Sequence, residues 1–478
     1  MYGFTFKSEV GIKMKYSYEE VIHIIENTRR FGNLTGVEVS KRMLEQLGNP
    51  QCGIPFVHVA GTNGKGSTTA FLCKILEKTG KKVGMFTSPH LITFEERIRI
   101  NGTYIPKEDV TRLGNMLLEM TFDVSPTMFD YCLAMAVLYF KEQACDIMVM
   151  ETGIGGRYDS TNALGVPEVA VITKIGFDHM GVLGNTLEEI AGEKAGIIKA
   201  GCYVVTNEQQ PQITDVFIEN FKQVNQLTES ITPIGFAQEW EEHPGTLEIP
   251  EAPAYFKVNR EAVCLAGGIP MKMPLGYQIE NAATALLAAR VLLEKWRREG
   301  KLQGCEDSIE NYICRGISET FWKGRMEIVN ENPFFMIDGA HNSHGVWALA
   351  DSLKELYPGE KFHFIMGVMA DKDYEEMIDV LLPLAIDFVT VTPESNRALQ
   401  SKDLAECIQR KGVKASYVEN MEDAICPLLP VGDKIRVGVQ NEDSQVYLTG
   451  CSDKTIAFGS LYFIGAIEAM LEENNKCK

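Results

Sequence analysis

Apolar residues along this chain fall alternately into short continuous runs and into longer stretches with helical spacing. From Phe56 onward the runs at 56–60, 82–87, 146–151, 169–175 and 203–206 are too short for helices and apolar on both faces. That is how strands buried on both sides of a sheet read. The stretches 68–78, 107–120, 130–143 and 187–199 lie between them and repeat apolar residues every three to four positions, as amphipathic helices do. Strands joined by helices pair in parallel, so this half is predicted to be a doubly wound α/β domain with a mostly parallel sheet. The segment 209–273 is polar, contains prolines and reads as hairpin-like, and a long Ala-rich helix at 281–297 follows it. A second alternation, at 334–337, 362–368, 388–392, 416–418 and 455–458, predicts a smaller Rossmann-like α/β sheet. The boundary is expected within 314–324, giving domains 14–321 and 322–478. Ser17 and Glu20 have capping-box spacing for a helix start just after Met14, which leaves 1–13 as an extension with no role in the fold.

Bulk composition narrows the partners. At 478 residues the chain exceeds one ordinary core. A net charge of −19 argues against nucleic acid, since polyanion binding relies on a basic surface. Small anionic substrates stay open, because a local cluster of Lys and Arg can dominate inside a cleft. The 12 cysteines show no CxxC pair and no metal-type spacing, as expected for reduced thiols in a cytoplasmic protein. The chain has no apolar stretch of about 18 residues and no leader-like start, so no membrane span is expected. A monomer is expected.

Candidate chemistry gathers at the predicted strand ends. The first strand leads into Gly61-Thr-Asn63-Gly64-Lys65-Gly66-Ser67 and then a helix, the build of a phosphate cradle for ATP or GTP. The loop is irregular: Gly66 stands where the usual P-loop carries its metal-binding hydroxyl, and Ser67 comes one place late. Ser88, after the second strand, can supply that hydroxyl, although a Ser-Pro pair is equally a plain loop breaker. Glu151 ends the third strand where a Mg²⁺ carboxylate sits opposite a P-loop, and Gly153 to Arg157 follow; the same stretch also reads as a tight turn. Arg157 can pair with a carboxylate or phosphate. His179 follows the fourth strand, where a ligand or base fits better than a core histidine. Lys194 alone would be a solvated helix lysine. In the second half, Arg325 can reach a γ-phosphate and Asp338, at a strand end, can bind ribose hydroxyls. The second domain would then complete the ATP site.

Taken in order, GTNGKGS, TSPH with ERIRI, ETGIGGR with Asp159, DHMGVLGNTLEEIAGEKAGI, QIENAATA, WKGR, DGAHN, DKDYEEM and FGSLYF, together with Phe31-Gly32, resemble the folylpolyglutamate synthase/dihydrofolate synthase family of the Mur ligase superfamily. The resemblance runs from about Met14 to the end. It implies Mg·ATP-dependent addition of L-glutamate to (poly)glutamylated tetrahydrofolate through an acyl phosphate. Glutamate addition to dihydropteroate, alone or as a second activity, is the sibling alternative; a peptidoglycan ligase or a non-catalytic nucleotide-binding module is more remote. It further implies that Asn63 to Ser67 hold the ATP phosphates and that Ser88, Glu151 and His179 bind Mg²⁺, with two metal sites in all. Lys194 would be carboxylated and help to place a metal. Asn281 would bind adenine, Arg325 the γ-phosphate and Asp338 the ribose, with His341 beside them. Phe129 and Asp130 match a Phe-Glu pair near the folate, with Asp130 one carbon shorter. The segment 435–447 is longer and more polar than the family pattern and is assigned no role.

Overall fold

A computed structural model describes residues 15–28, 35–207, 209–235, 249–251, 253–302, 307–428 and 454–476. The extension 1–13, Phe31-Gly32 and the 435–447 segment lie outside the described residues. The first sheet contains β1 (Phe56–Ala60), β2 (Val83–Phe86), β3 (Ile98–Ile100), β4 (Thr103–Tyr104), β5 (Ile147–Glu151), β6 (Val169–Ile172), β7 (Tyr203–Thr206) and β8 (Tyr255–Lys257). Their order is β4-β3-β2-β5-β1-β6-β7-β8. All pairs are parallel except β2–β3 and β3–β4, which are antiparallel. The phosphate-loop strand β1 is therefore central, flanked by the strands that end in Glu151 and that precede Asp178.

Alternate residues of these strands feed different cores, as the two-residue period of a strand requires. Val57, Val59, Ile147 and Val149 pack with the helices Lys65–Lys78, Gln278–Arg298 and Ile309–Glu319. Phe56, Met148 and Met150 face the opposite way, toward the helices Tyr18–Glu26, Gly36–Gln46 and Met128–Glu142. Each fully buried side chain such as Phe71 or Leu72 contributes about 1.5–3 kcal/mol through lost apolar exposure. The helix Ile309–Glu319 lies flush on the loop helix because Gly316 has no side chain: a Cβ there would come within 2.5 Å of the Ile75 Cα.

The second sheet comprises β9 (Glu327–Glu331), β10 (Phe334–Ile337), β11 (Phe362–Met366), β12 (Ala385–Thr390), β13 (Ala415–Tyr417) and β14 (Lys454–Phe458), ordered β13-β12-β11-β14-β10-β9. Only β9 runs antiparallel to its neighbour. Both sheets are thus the doubly wound α/β type expected. The segment 209–273 is a correction. Where it is described, at 209–235, 249–251 and 253–273, it shows no hairpin: it holds the helices Pro211–Asn225 and Arg260–Gly267, and β8 pairs with β7 in parallel. Pro211 opens its helix at a position where the missing N–H costs nothing, and Ile213, Phe217 and Phe221 bury along one face.

The chain crosses between sheets at Phe321 to Met326. The C-terminal helix Leu461–Lys476 supports this crossing through a buried carboxyl: Glu468 is 2% exposed, with the Lys323 Nζ 3.5 Å away. Burial and the neighbouring Glu327 carboxyl push Glu468 up to about 8. Between pH 4.5 and about 8 the folded chain therefore holds a proton that the unfolded chain releases, so this group's contribution to stability falls as pH rises across that window. Glu468→Gln, neutral at every pH, is expected to flatten that slope and to gain on the parent protein at pH 9, as measured by urea unfolding at pH 6 and pH 9.

Candidate active site

The loop after β1 is shaped by two glycines in left-handed conformations, Gly61 (φ 151°) and Gly64 (φ 84°). A Cβ on Gly61 would lie 1.8 Å from the Thr173 Oγ1, and one on Gly64 would lie 2.2 Å from the Asn281 Oδ1. Thr173 donates its hydroxyl to the Asn63 carbonyl (2.7 Å), locking the loop to the end of β6. The Lys65 ammonium lies over the loop, donating to the carbonyls of Gly61 and Thr62 at 3.2 Å each. Gly66 is the second residue of the following helix and is covered by the Trp322 indole, with Ser67 buried behind it. Asn281, 7% exposed, donates to the Gln278 Oε1 (2.9 Å) and presses its carbonyl oxygen against Gly64.

Glu151 is 3% exposed at the end of β5 and accepts the Ser88 backbone N–H (3.1 Å). Burial pushes its carboxyl up to about 7 against the opposing pull of Lys65, Arg325 and Arg97. A carboxyl so placed is stabilised as an anion by a cation, which is the fit a Mg²⁺ ion requires. The loop beyond it is organised by Asp159, which accepts N–H groups from Gly153, Ile154 and Thr161 and the Thr161 hydroxyl. Arg157 faces solvent and binds the next helix, donating to the Gly192 carbonyl (3.1 Å) and pairing with Glu193 (3.3 Å). That helix carries Lys194, whose side chain turns inward rather than into solvent. Its Nζ donates to the Gly61 carbonyl at 2.7 Å. Burial, aided by Lys65, lowers this amine to about 7.

The second domain reaches the same place from β10. Arg325 packs on Gly339, where a Cβ would lie 1.6 Å from the Arg325 Nη1. His341 keeps its Nδ1 on the Gly339 carbonyl (2.8 Å), and burial lowers it to about 4, so it is neutral at physiological pH. Asn342 exchanges amide hydrogen bonds with Asn63 (3.2 and 3.3 Å) while capping its own helix through Gly345 (2.7 Å). Asp178, just past β6, accepts from the Lys372 Nζ (2.9 Å) and the Asn342 Nδ2 (3.0 Å). Burial opposes its charge, but Lys372 and the nearby histidines hold its carboxyl well below the usual range.

The structure thus gathers Asn63 to Ser67, Glu151, Ser88, Lys194, Asn281 and Arg325 around one loop. Other expected residues sit differently. His179 is exposed, in a left-handed conformation (φ 51°), with its ring 3.9 Å from Asp178. Among the described residues no three His, Cys, Asp or Glu side chains converge as a metal cluster. Asp338, 1% exposed, accepts from Tyr277 (2.5 Å), Met326 (2.8 Å) and Ala340 (2.8 Å), so its carboxylate is engaged inside the protein rather than offered to a ribose. Phe129 packs on Phe86 and over Gly153. Asp130 is a correction: it is fully buried and accepts from Ser40, Ser160 and both donors of Thr127, so it closes a capping box and holds three elements together rather than touching a substrate. Its neighbour Thr127 at three-residue spacing was the signal for that role. Asp178, Asn342 and Lys372 were not singled out from the sequence. Asn342, an Asx residue directly before a helix, was recognisable only as a cap.

Comparison with known proteins matches residues 59–289 to the Mur ligase middle domain and residues 324–430 to the Mur ligase, glutamate ligase domain. The dihydrofolate synthase/folylpolyglutamate synthase of Bacillus subtilis is 34% identical over 463 residues, covering 95% of this chain and 99% of its own. The folylpolyglutamate synthase of Lacticaseibacillus casei is 31% identical over 415 residues, covering 84% of this chain and 92% of its own. Among solved structures, FolC of E. coli in complex with DHPP and ADP aligns with a TM-score of 0.74 at 26% identity, over 97% of this chain and 99% of that one. The two sheets and the loop between them define an ATP-dependent ligase of the Mur type. Within that class, the chain belongs to the folylpolyglutamate synthase/dihydrofolate synthase family.

Asp130→Ala is expected to lower the melting temperature, since it leaves the buried Ser40 and Ser160 hydroxyls and the Thr127 N–H unpaired at about 1–3 kcal/mol each. Substrate KM values should stay close to the parent's. Thermal unfolding and steady-state kinetics check this, and a raised KM with unchanged melting would contradict the structural role.

Proposed function

We propose that this protein uses ATP to join L-glutamate to the terminal carboxylate of a (poly)glutamylated tetrahydrofolate, releasing ADP and phosphate. A free carboxylate is a poor electrophile. Transfer of the γ-phosphoryl group to it gives an acyl phosphate, which the glutamate amine attacks with phosphate as the leaving group. The observation that carries this reading is that Glu151, buried at the end of β5, lies within electrostatic reach of Lys65 from the first domain and Arg325 from the second. Cations from both domains close to one buried carboxyl suit a transferring phosphoryl group, whose charge builds on its outer oxygens.

Glu151, with the Ser88 backbone on it, would hold Mg²⁺, which would neutralise phosphate charge when bound; His179 would join it only by turning in from its exposed place beside Asp178. Lys194 supports carboxylation. Attack on CO₂ needs a neutral amine, and at about 7 a large share of this amine is neutral at physiological pH. Its contact with Gly61 would set the resulting carbamate beside the phosphate loop.

Phosphate release is expected only when ATP, glutamate and tetrahydrofolate are all present, and release without folate would sink the reading. The Bacillus relative is named for both activities, which favours dihydropteroate as a second acceptor. Substituting it for tetrahydrofolate in the same assay checks that. Lys194→Ala is expected to lower kcat by about a hundredfold or more, the scale of losing one charge-stabilising group. Short added carboxylates should restore part of that activity, and a silent substitution would end the carbamate proposal.

A further inference from the structure

The position that departs from the usual phosphate loop, Gly66, is filled from outside by another residue. A Cβ on Gly66 would lie 3.1, 3.2 and 3.3 Å from the Trp322 Nε1, Cζ2 and Cε2, so the indole rests on the bare backbone of the loop helix. The ring's own position is fixed by the Arg99 guanidinium, 4.7 Å from its centroid and also 4.6 Å from that of Tyr104. Arg99 is in turn held by the Glu96 carbonyl (3.0 Å). Behind Trp322, the helix Ile309–Glu319 is pressed onto the same loop helix through Gly316 and Ile75. Ahead of it, Lys323 pairs with Glu472 (2.8 Å), and the Gly324 N–H donates to Glu327 (2.7 Å). The Gly324 carbonyl accepts from Gly339 (2.8 Å), the residue on which Arg325 packs.

From Gly66 to Arg325 these contacts and the chain segment Trp322 to Arg325 form one connected series. The phosphate-loop backbone lies at one end and a second-domain cation at the other. We propose that Trp322 is a positioning residue that sets the distance between the phosphate loop and Arg325, and that Gly66 lacks a side chain to admit the ring. The inference rests on the ATP-dependent reading above. The Gly66 substitution in the loop and the ring three residues before Arg325 are then two parts of one device. A side chain at this position would crowd the indole and push it away by at least a few tenths of an ångström.

Calorimetric binding of ADP and of the non-hydrolysable analogue AMPPCP, each with Mg²⁺, tests this without an acceptor. Trp322→Ala is expected to leave ADP affinity within about threefold while weakening AMPPCP by about tenfold or more, the scale of one lost charged contact. Arg325→Ala should show the same pattern, and Trp322→Phe should restore most of the difference. Equal weakening of both nucleotides, or of neither, would overturn the proposal. Gly66→Ala is expected to reproduce the selective loss, and adding Trp322→Ala to it should cause little further loss. If instead the two losses multiply, the ring and the glycine act separately and the proposal fails. Should Trp322→Ala not fold, Trp322→Phe paired with Gly66→Ala carries the same comparison. A parent protein that binds neither nucleotide would refute the ATP-dependent reading itself, a result distinct from all of these.

Discussion

One carboxylate joins the two halves of this enzyme. Asp178 leaves the end of β6 with a side chain 10% exposed and meets Lys372, Asn342 and His341, all from the second domain. A buried ion pair is costly to form and costlier to break, because removing one partner strands the other at about 3–5 kcal/mol. That asymmetry favours the arrangement in which the second domain is seated. Asn342 extends the same contact to Asn63 in the phosphate loop. The loop, the strand end and the second domain therefore share one polar network, and the position of each depends on the other two.

Within that frame, burial acts on two groups in opposite directions. It raises the Glu151 carboxyl and lowers the Lys194 amine, and both arrive at about 7. Each change reduces the charge held in a space that water cannot reach. The cations Lys65 and Arg325 are only half-buried, and on the function proposed above they would be the groups to meet an incoming polyanion. A site of this kind stores little unpaired charge on its own, so on the function proposed above phosphate groups and a metal ion would enter together with their charges balanced.

Much of the fold was legible because buried parallel strands and amphipathic helices carry strong periodic signals. Strand β1 and the long helix Gln278–Arg298 emerge with nearly the expected limits. Strands β3, β4 and β9 were not legible, since two to five residues in antiparallel ribbons bury too little to leave a pattern. The helix Pro211–Asn225 was obscured by the polar composition around it, although Ile213, Phe217 and Phe221 had helical spacing. At the site, strand-end position singled out Lys65, Glu151 and Arg325. It could not separate Asp130 and Asp338, whose oxygens are occupied by neighbouring donors that no local spacing reveals. Nor could it show Asp178, whose partners lie more than 160 residues away.

The ends of the two sheets are as informative as their centres. The first sheet finishes in β4, two exposed residues long, and in β8, three residues long. The second finishes in the three-residue β13 and in β9, which runs against its neighbour and carries Glu327 and Glu331 at its ends. A long flat outer strand would present a row of free amides on which another chain could grow a cross-chain ribbon. Here each outermost strand is too short or too acidic to serve as such a template. Among the described residues, fourteen strands thus end in four margins that are poor templates for aggregation through strand addition.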